Sequence, residues 1–597
     1  MFRLRPAGRR WPFAVRAALC TGAPVLAGWI LDDVTAGLMA TIGAFTALYG
    51  SERPYLNRAI YLTVIAVSFA LAVALGIWAA EIPLLVVPVV VLIAMVATFL
   101  CNALRVGPPG AYMFALACAA GTAMPIADPE PVRIGLLVLA GGSFAWLSHM
   151  AGALVRPRGP ERAAVAAAGK AVAHFVEAIG TAGEDATRHA AALAMHESWT
   201  ALVTHQPARP RPNGSLSRLR ALNRDLNLLF ASIMNAPAAD RSSLAAVAER
   251  ARRLAAEVLD TEAQAERTDP AHVPLGHQGW RGSLRESLRP WSPALLVAAR
   301  VGVATAIAGA IGAMLGLERA YWTMAAAVLI LHQGLDWVRS LQRGIERMSG
   351  TAVGLILAGI ILAVHPQGPW LVLTLMLLQF VIEMTVIRNY ALAVVFITAI
   401  ALTIAAGGHQ VPHIGHMLWV RGVDTFIGCV TGLAVLMTTA PRTVAVRIPQ
   451  ELINLLAALE IVLGYAATGA VTTSDPRRAR RDLQHRTIVL LQAYDASMGA
   501  APWHRDAAER AWPAVVAAQR LAYRVLFTCW SLENAGTKAA PELARKLFGT
   551  DGARESKHAL TALSDAIQSG TRPAPLGALP DFLSAEMRNL YASLVYD

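Results

Sequence analysis

Charge is scarce in this sequence: Asp, Glu, Lys and Arg together supply only 15% of its 597 residues. A soluble chain of that length divides into several domains and needs more charge to cover their surfaces, so the scarcity argues against a wholly water-soluble protein. Cysteine is scarce too. Cys20, Cys101, Cys118 and Cys429 fall in or beside apolar segments and Cys529 in an amphipathic helical one, which gives no disulfide framework and reads as small buried hydrophobes. No Walker glycine loop, Gly-x-Ser-x-Gly elbow or Cys-x-x-Cys pair occurs, so no enzyme and no cofactor is expected, nor primary transport powered by this chain. An ion gradient stays open as an energy source. The formal net charge of +12 would suit nucleic acid. Much of the arginine, however, flanks apolar runs, where it sets orientation in a membrane, and nucleic acid is not an expected partner.

What the sequence does have is long apolar runs, at the length that spanning helices require. The first block, about residues 14–155, breaks at LDDV (31–34), GSERPYLNR (50–58), AEIP (80–83), LRVGPPG (104–110) and MPIADPEPVR (124–133), giving six segments. The second, about 294–440, breaks at GLERAYW (316–322), GLDWVRSLQRGIER (334–347), HPQGPW (365–370), IEMTVIRNY (382–390) and GGHQVPHIGH (407–416), again giving six. The N-terminal MFRLRPAGRRWPF resembles a signal peptide's charged region or a twin-arginine signal, but no small-residue cleavage site follows and further spans come at once, so it reads as a cytoplasmic arm.

The two blocks match internally. Arg16 answers Arg300, and GLMATIGAFTALYG (37–50) sits where YWTMAAAVLILHQG (321–334) sits. The loop at Arg53 and Arg58 answers Arg339, Arg343 and Arg347, NALRVGPPGAY at Arg105 matches VIRNYALAV at Arg388, and Arg133 matches Arg421. Duplication is the simple account. With a cytoplasmic N-terminus the inside loops carry arginine, while Asp32, Asp33, Glu81, Asp128, Glu130 and Glu318 lie outside with Arg319 as the exception. The expected fold class is therefore all-α and polytopic: a six-helix transmembrane unit (1–155), a cytoplasmic helical domain (156–292), a second six-helix unit (293–441) and a C-terminal cytoplasmic helical domain (442–597). Even span counts make the units parallel repeats in the bacterial inner membrane, with both termini cytoplasmic.

At YWTMAAAVLILHQGLDWVRSLQRGIERMSGTAVGLILAG (321–359) the sequence resembles the fusaric-acid-resistance (FUSC) family. An aromatic pair opens a short span, an Arg-studded loop follows, and then comes R-x-x-G-T-x-x-G: Arg347, Gly350, Thr351 and Gly354. The doubled layout is similar to bacterial aromatic-carboxylate efflux proteins and, more distantly, to aluminium-activated malate transporters. After Arg58 the first copy reads AIYLTVIAVSFALAVALG, without the Gly-Thr pair, so the motif carries over to the second unit alone. The resemblance implies export of small organic anions, aromatic carboxylic acids above all, and a periplasmic adaptor. A homodimer is expected because two units of short, Gly-rich helices are not expected to enclose a sealed path alone. A passive gated anion channel and a non-transport membrane scaffold are the alternatives.

Candidate substrate-binding residues are Arg16, Arg133, Arg300 and Arg421, whose guanidinium forks match a carboxylate and which otherwise serve as snorkelling anchors. Tyr321 and Trp322 either stack on an aromatic ring or anchor at the interface. Asp424, three residues after Arg421, is either its structural counter-charge or a proton-coupling group. Glu383 beside Arg388 and Asp336 beside Arg339 read as loop-edge pairs. Segments 37–49, 321–333 and 111–124 are too short for a ~20-residue span, and short segments at corresponding places in two halves point to a binding site. His409, His413 and His416 have metal-like spacing, but Pro412 interrupts it and no Cys or acidic partner adjoins, so a solvated loop is expected and no metal.

Overall fold

The computed structural model describes residues 10–122, 130–204, 206, 214–235, 241–259, 284–285, 287–290, 292–316, 321–332, 337–439, 447–498 and 502–595. Asp128, Glu318, Arg319, Asp336 and most of the N-terminal arm lie outside the described residues. So do most of the residues of the Pro/Arg stretch after 206 and of the segment leading to the second apolar block. Among the described residues the chain is all-helical, and eight helices are long and apolar enough to cross a membrane. It is a multi-pass membrane protein.

Backbone contacts divide the chain into two compact units, Met1–Pro157 with Gln278–Pro441, and Arg158–His277 with Arg442–Asp597. In the first unit, residues 11–155 form α1 (Trp11–Ile30), α2 (Val34–Ala44, continued by a 3-10 turn to Leu48), α3 (Tyr55–Ala80), α4 (Pro83–Ala103), α5 (Tyr112–Gly121) and α6 (Pro131–Val155). The first unit's other helices are α11 (Pro293–Met314), α12 (Tyr321–Leu331), α13 (Trp337–Val364), α14 (Pro369–Thr385), α15 (Tyr390–Ala405) and α16 (Ile414–Thr439). Proline sits in the first turn of α4, α6, α11 and α14, where a missing N–H costs nothing. Asp33 and Asn389 cap α2 and α15 by accepting from Ala36 N (2.8 Å) and Leu392 N (3.0 Å).

Six crossing segments per block were expected. The helices are there, but α1, α3, α4 and α6 in the first block and α11, α13 and α16 in the second are the ones long enough to cross; α2, α5, α12, α14 and α15 have 10–17 residues. At 1.5 Å per residue these reach roughly 15–25 Å, short of a ~30 Å hydrocarbon core. Packing follows one order in both blocks. The third helix lies on the fifth and sixth, and the second on the first and sixth. Between blocks, α1 packs on α14, α4 on α11, and α5 on α12. The outward faces are apolar: Val353, Ile356, Ile360 and Val364 on α13 are all exposed, a surface that water would penalise and lipid accepts.

The second unit comprises α7 (Gly159–Ala178), α8 (Glu184–Trp199), α9 (Ser215–Asn235), α10 (Arg241–Leu259), α17 (Arg447–Thr468), α18 (Ser474–Met498), α19 (Pro502–Phe548, bent at Gly536), α20 (Gly552–Ser569) and α21 (Asp581–Val595). Its two chain segments share one core. Phe230 of α9 meets Tyr523 of α19 edge-on at 5.1 Å, and a buried Arg480–Glu533 pair (2.7 Å) ties α18 to α19. The eighth long apolar helix, Ile448–Thr468, buries Leu452, Leu455, Leu456 and Leu459 in that core.

Candidate functional site

The second helix of the second block anchors the site. All eleven residues of α12 are buried, which a helix of this apolar composition tolerates only inside a bundle. Its closest neighbour is α16, and glycine makes the approach possible: a Cβ on Gly428 would stand 2.3 Å from the Thr323 carbonyl oxygen. That close approach delivers two charged side chains against α12. Arg421 is 2% exposed and Asp424 is fully buried.

The Arg421 guanidinium carbon lies 3.5 Å from the centroid of the Trp322 ring, a cation–π contact in a desolvated place. Tyr321 stands against the other aromatic, ring centroids 4.8 Å apart and planes at 33°. Asp424 is one turn further along α16, within electrostatic reach of Arg421. Structure thus brings together Tyr321, Trp322, Arg421 and Asp424.

The R-x-x-G-T-x-x-G motif explains itself in α13. A Cβ on Gly350 would stand 2.4 Å from the Ala391 carbonyl oxygen and one on Gly354 2.7 Å from that of Val395, so both glycines exist to seat α13 on α15. This seating carries Arg347, 2% exposed, into a hydrogen bond with Tyr390 at the start of α15. Thr351, on the same face one turn on, is equally buried. Arg347 and Arg421 lie within electrostatic reach of each other and of Tyr112, the first residue of α5. His332 adjoins Tyr112, ring centroids 6.1 Å apart.

Several donors in this cluster have no acceptor. Arg421 Nε and Nη2, Arg347 Nε and Trp322 Nε1 are buried with no hydrogen-bond partner among the described residues, as is Thr351 Oγ1. Such groups cost about 1–3 kcal/mol each when left unmet, more when charged, so their concentration at one place calls for a function.

The remaining candidates go elsewhere. Arg300 donates to the carbonyl of Thr439, the last residue of α16, as a cation at a helix C-terminus does. Thr439 is eighteen positions beyond Arg421 on α16, roughly 27 Å along the helix axis. Arg16 donates to Ser51 Oγ at 3.2 Å and lies over Phe13. Arg133 is 58% exposed and pairs with Asp33 at 3.7 Å. Glu383 does not take Arg388 as expected: it accepts from Arg10 (3.1 Å) and Gln379 (3.1 Å), because α1 lies on α14 and brings Arg10 to it. No group of three or more His, Cys, Asp or Glu that could hold a metal occurs among the described residues, and this includes His409, His413 and His416.

Tyr112, Tyr390 and His332 were not singled out from sequence. A signal existed for two of them, since Tyr112 and Tyr390 each open the fifth helix of their block. In the first block the places of Tyr321, Trp322 and Thr351 are taken by Gly37, Leu38 and Leu62, and Arg58 spends its donors on the carbonyls of Ser51 and His149. The first block thus has no counterpart of the Trp322–Arg421 arrangement.

Residues 306–435, which hold every second-block member of this cluster, match the family described as Fusaric acid resistance protein-like. The chain is 29% identical over 563 residues to the Uncharacterized membrane protein YvaC of Bacillus subtilis (strain 168), covering 88% of this chain and 86% of that one. It is 33% identical over 159 residues to the Uncharacterized protein YhfK of Escherichia coli (strain K12), covering 25% and 20% respectively. No solved structure matches.

Proposed function

Because this chain belongs, through residues 306–435, to the fusaric acid resistance protein-like membrane proteins, we propose that it exports small organic anions, aromatic carboxylic acids among them, from cytoplasm to periplasm. The observation that carries this reading is the surplus of buried donors around Arg421. Arg347 has phenols and a thiol as its electrostatic neighbours, Tyr112, Tyr390 and Cys429, and Asp424 is the one carboxylate named beside Arg421. Two guanidiniums beside one carboxylate leave the cluster attractive to one further anion, and an ionisable group this deep in a membrane unit is expensive unless it serves a ligand or pathway. A carboxylate supplies the acceptors that the guanidinium fork lacks.

The common packing order of the two blocks supports reading them as duplicated six-helix units, parallel copies about an axis along the membrane normal. Their short second and fifth helices meet at the site through α12 and α5, where such transporters place substrate. A homodimer and a periplasmic adaptor complete the proposed export route.

Flux of a radiolabelled aromatic carboxylate into inverted inner-membrane vesicles tests the function. Vesicles containing the protein should accumulate the acid faster than vesicles without it, and equal rates would sink the reading. Repeating the assay with the proton gradient collapsed separates coupled export from a passive conduit.

Orientation has its own test. Loops α2–α3, α4–α5 and α14–α15 carry Arg53, Arg105 and Arg388, while α1–α2 and α3–α4 carry Asp32, Asp33 and Glu81, which favours an inner face at the arginine end. All five native cysteines are buried, and burial pushes the Cys529 thiol up to about 12, so a new surface thiol reports cleanly. An impermeant maleimide added to intact cells should label His409→Cys and spare Lys557→Cys. Efficient labelling at 557 would reverse the topology.

A further inference from the structure

The aromatic pair at the head of α12 invites the idea that it stacks on the ring of an aromatic substrate. Its geometry argues for another use. One face of Trp322 is already covered by the Arg421 guanidinium at 3.5 Å, the thickness of a stacked pair of planes, and Tyr321 is tilted against the same indole at 4.8 Å. The guanidinium thus occupies a face that a substrate ring would need, and Tyr321 lies against the same indole. What stays unpartnered is polar: the indole Nε1–H, Arg421 Nε and Nη2, and Arg347 Nε.

With its carbon 3.5 Å from the ring centroid, a planar guanidinium avoids collision with the indole only by lying close to parallel to it, its N–H groups directed sideways in its own plane. That is the arrangement a carboxylate needs for a two-pronged contact. The indole therefore fixes the plane of the fork, and its own N–H adds a donor at the edge. Tyr390 is hydrogen-bonded to Arg347, and Tyr112, from the other block, lies within electrostatic reach of both arginines.

We propose, building on the anion-export reading, that this site recognises the carboxylate group and not the aromatic ring, with Trp322 as the positioning residue that holds Arg421 flat. A saturated carboxylate of the same size is then as good a ligand as an aromatic one, while an aromatic amide without charge is none. Asp424 beside Arg421 sets the charge that an incoming acid has to match, which fits a monoanion better than a dianion.

The experiment is calorimetric binding to the purified full-length chain in nanodiscs, using benzoate, cyclohexanecarboxylate and benzamide. The expected result is that the two acids have dissociation constants within about threefold of each other and benzamide does not bind, since the contact is a charge-assisted fork. Binding is read without transport, so carboxylate binding with no export in vesicles would remove the export reading and keep this one. Failure of all three to bind, or a cyclohexanecarboxylate affinity tenfold or more below that of benzoate, overturns it. Trp322→Leu removes the face and should raise both dissociation constants by about tenfold or more; Trp322→Phe keeps a face, loses the N–H and should raise both by a smaller, equal factor. The deciding readout is the ratio of the two constants. Ring stacking would make benzoate alone suffer, in whichever of the two variants folds.

Discussion

Arg421→Ala should lower carboxylate transport, corrected for protein amount, by roughly tenfold to a hundredfold, the equivalent of about 1.5–3 kcal/mol for a charge-assisted contact. Arg300→Ala should leave transport per molecule near normal and lower the amount of folded protein instead. Both arginines are buried and both belong to the second apolar block, yet their donors meet different things. Arg300 donates to the Thr439 carbonyl at the end of α16, whereas Arg421 lies on Trp322 with Nε and Nη2 unmet. Arg421→Lys should recover only part of the loss, because an ammonium restores charge without the planar fork. Vesicle flux of an aromatic acid, normalised to the folded fraction, measures all three. Equal defects in Arg300→Ala and Arg421→Ala would mean that the two act as one unit and that the separation along α16 is without consequence.

The second large effect is on stability. Gly43→Val and Gly141→Val should each abolish a monodisperse folded protein in mild detergent. A Cβ on Gly43 would stand 1.7 Å from the Val138 carbonyl oxygen, and one on Gly141 would stand 1.8 Å from that of Ala40. These are reciprocal backbone contacts between α2 and α6, and neither carbonyl can swing aside as a flexible side chain could. Overpacking in a filled core costs about 1–3 kcal/mol when neighbours can adjust, and more where they are backbone. Gly415→Ala is the control in the same unit, since a Cβ there meets nothing within 4 Å. Gel filtration of fluorescent fusions reports the outcome. A symmetrical peak at normal yield from Gly43→Val would show that α2 and α6 are not held this closely.

Much of the helical plan was legible because apolar runs and their Pro, Gly and Arg breaks are local features. The shortness of 37–49, 321–333 and 111–124 was legible for the same reason, and α2, α12 and α5 have 11, 11 and 10 residues. Side-chain partnerships were not legible, because they depend on which helix faces which. Arg300 and Arg421 looked alike until the end of α16, 139 positions from Arg300, was seen to supply one of them with an acceptor. Trp322 was readable as a candidate, but the covering of its face by Arg421 is a contact across 99 positions of chain. Tyr112 arrives from the other block altogether, which no reading of the 321–359 motif could have included. Glu383 was assigned its sequence neighbour Arg388, and the packing of α1 on α14 gave it Arg10.

The complete burial of α12 also constrains how the protein is made. Its eleven residues emerge from the ribosome well before α16, the helix that covers them, and roughly eighty further residues have to be synthesised between the two. A helix of about 16 Å cannot settle across the bilayer as an independent span in that interval. It has to wait, shielded by α11 or by the insertion machinery, until α16 arrives with Gly428 and Gly432 to receive it. The same order holds for α2 and α6. Each block is therefore completed by its last helix, and chains truncated before that helix should be handed to membrane quality control with an apolar segment that has nowhere to pack.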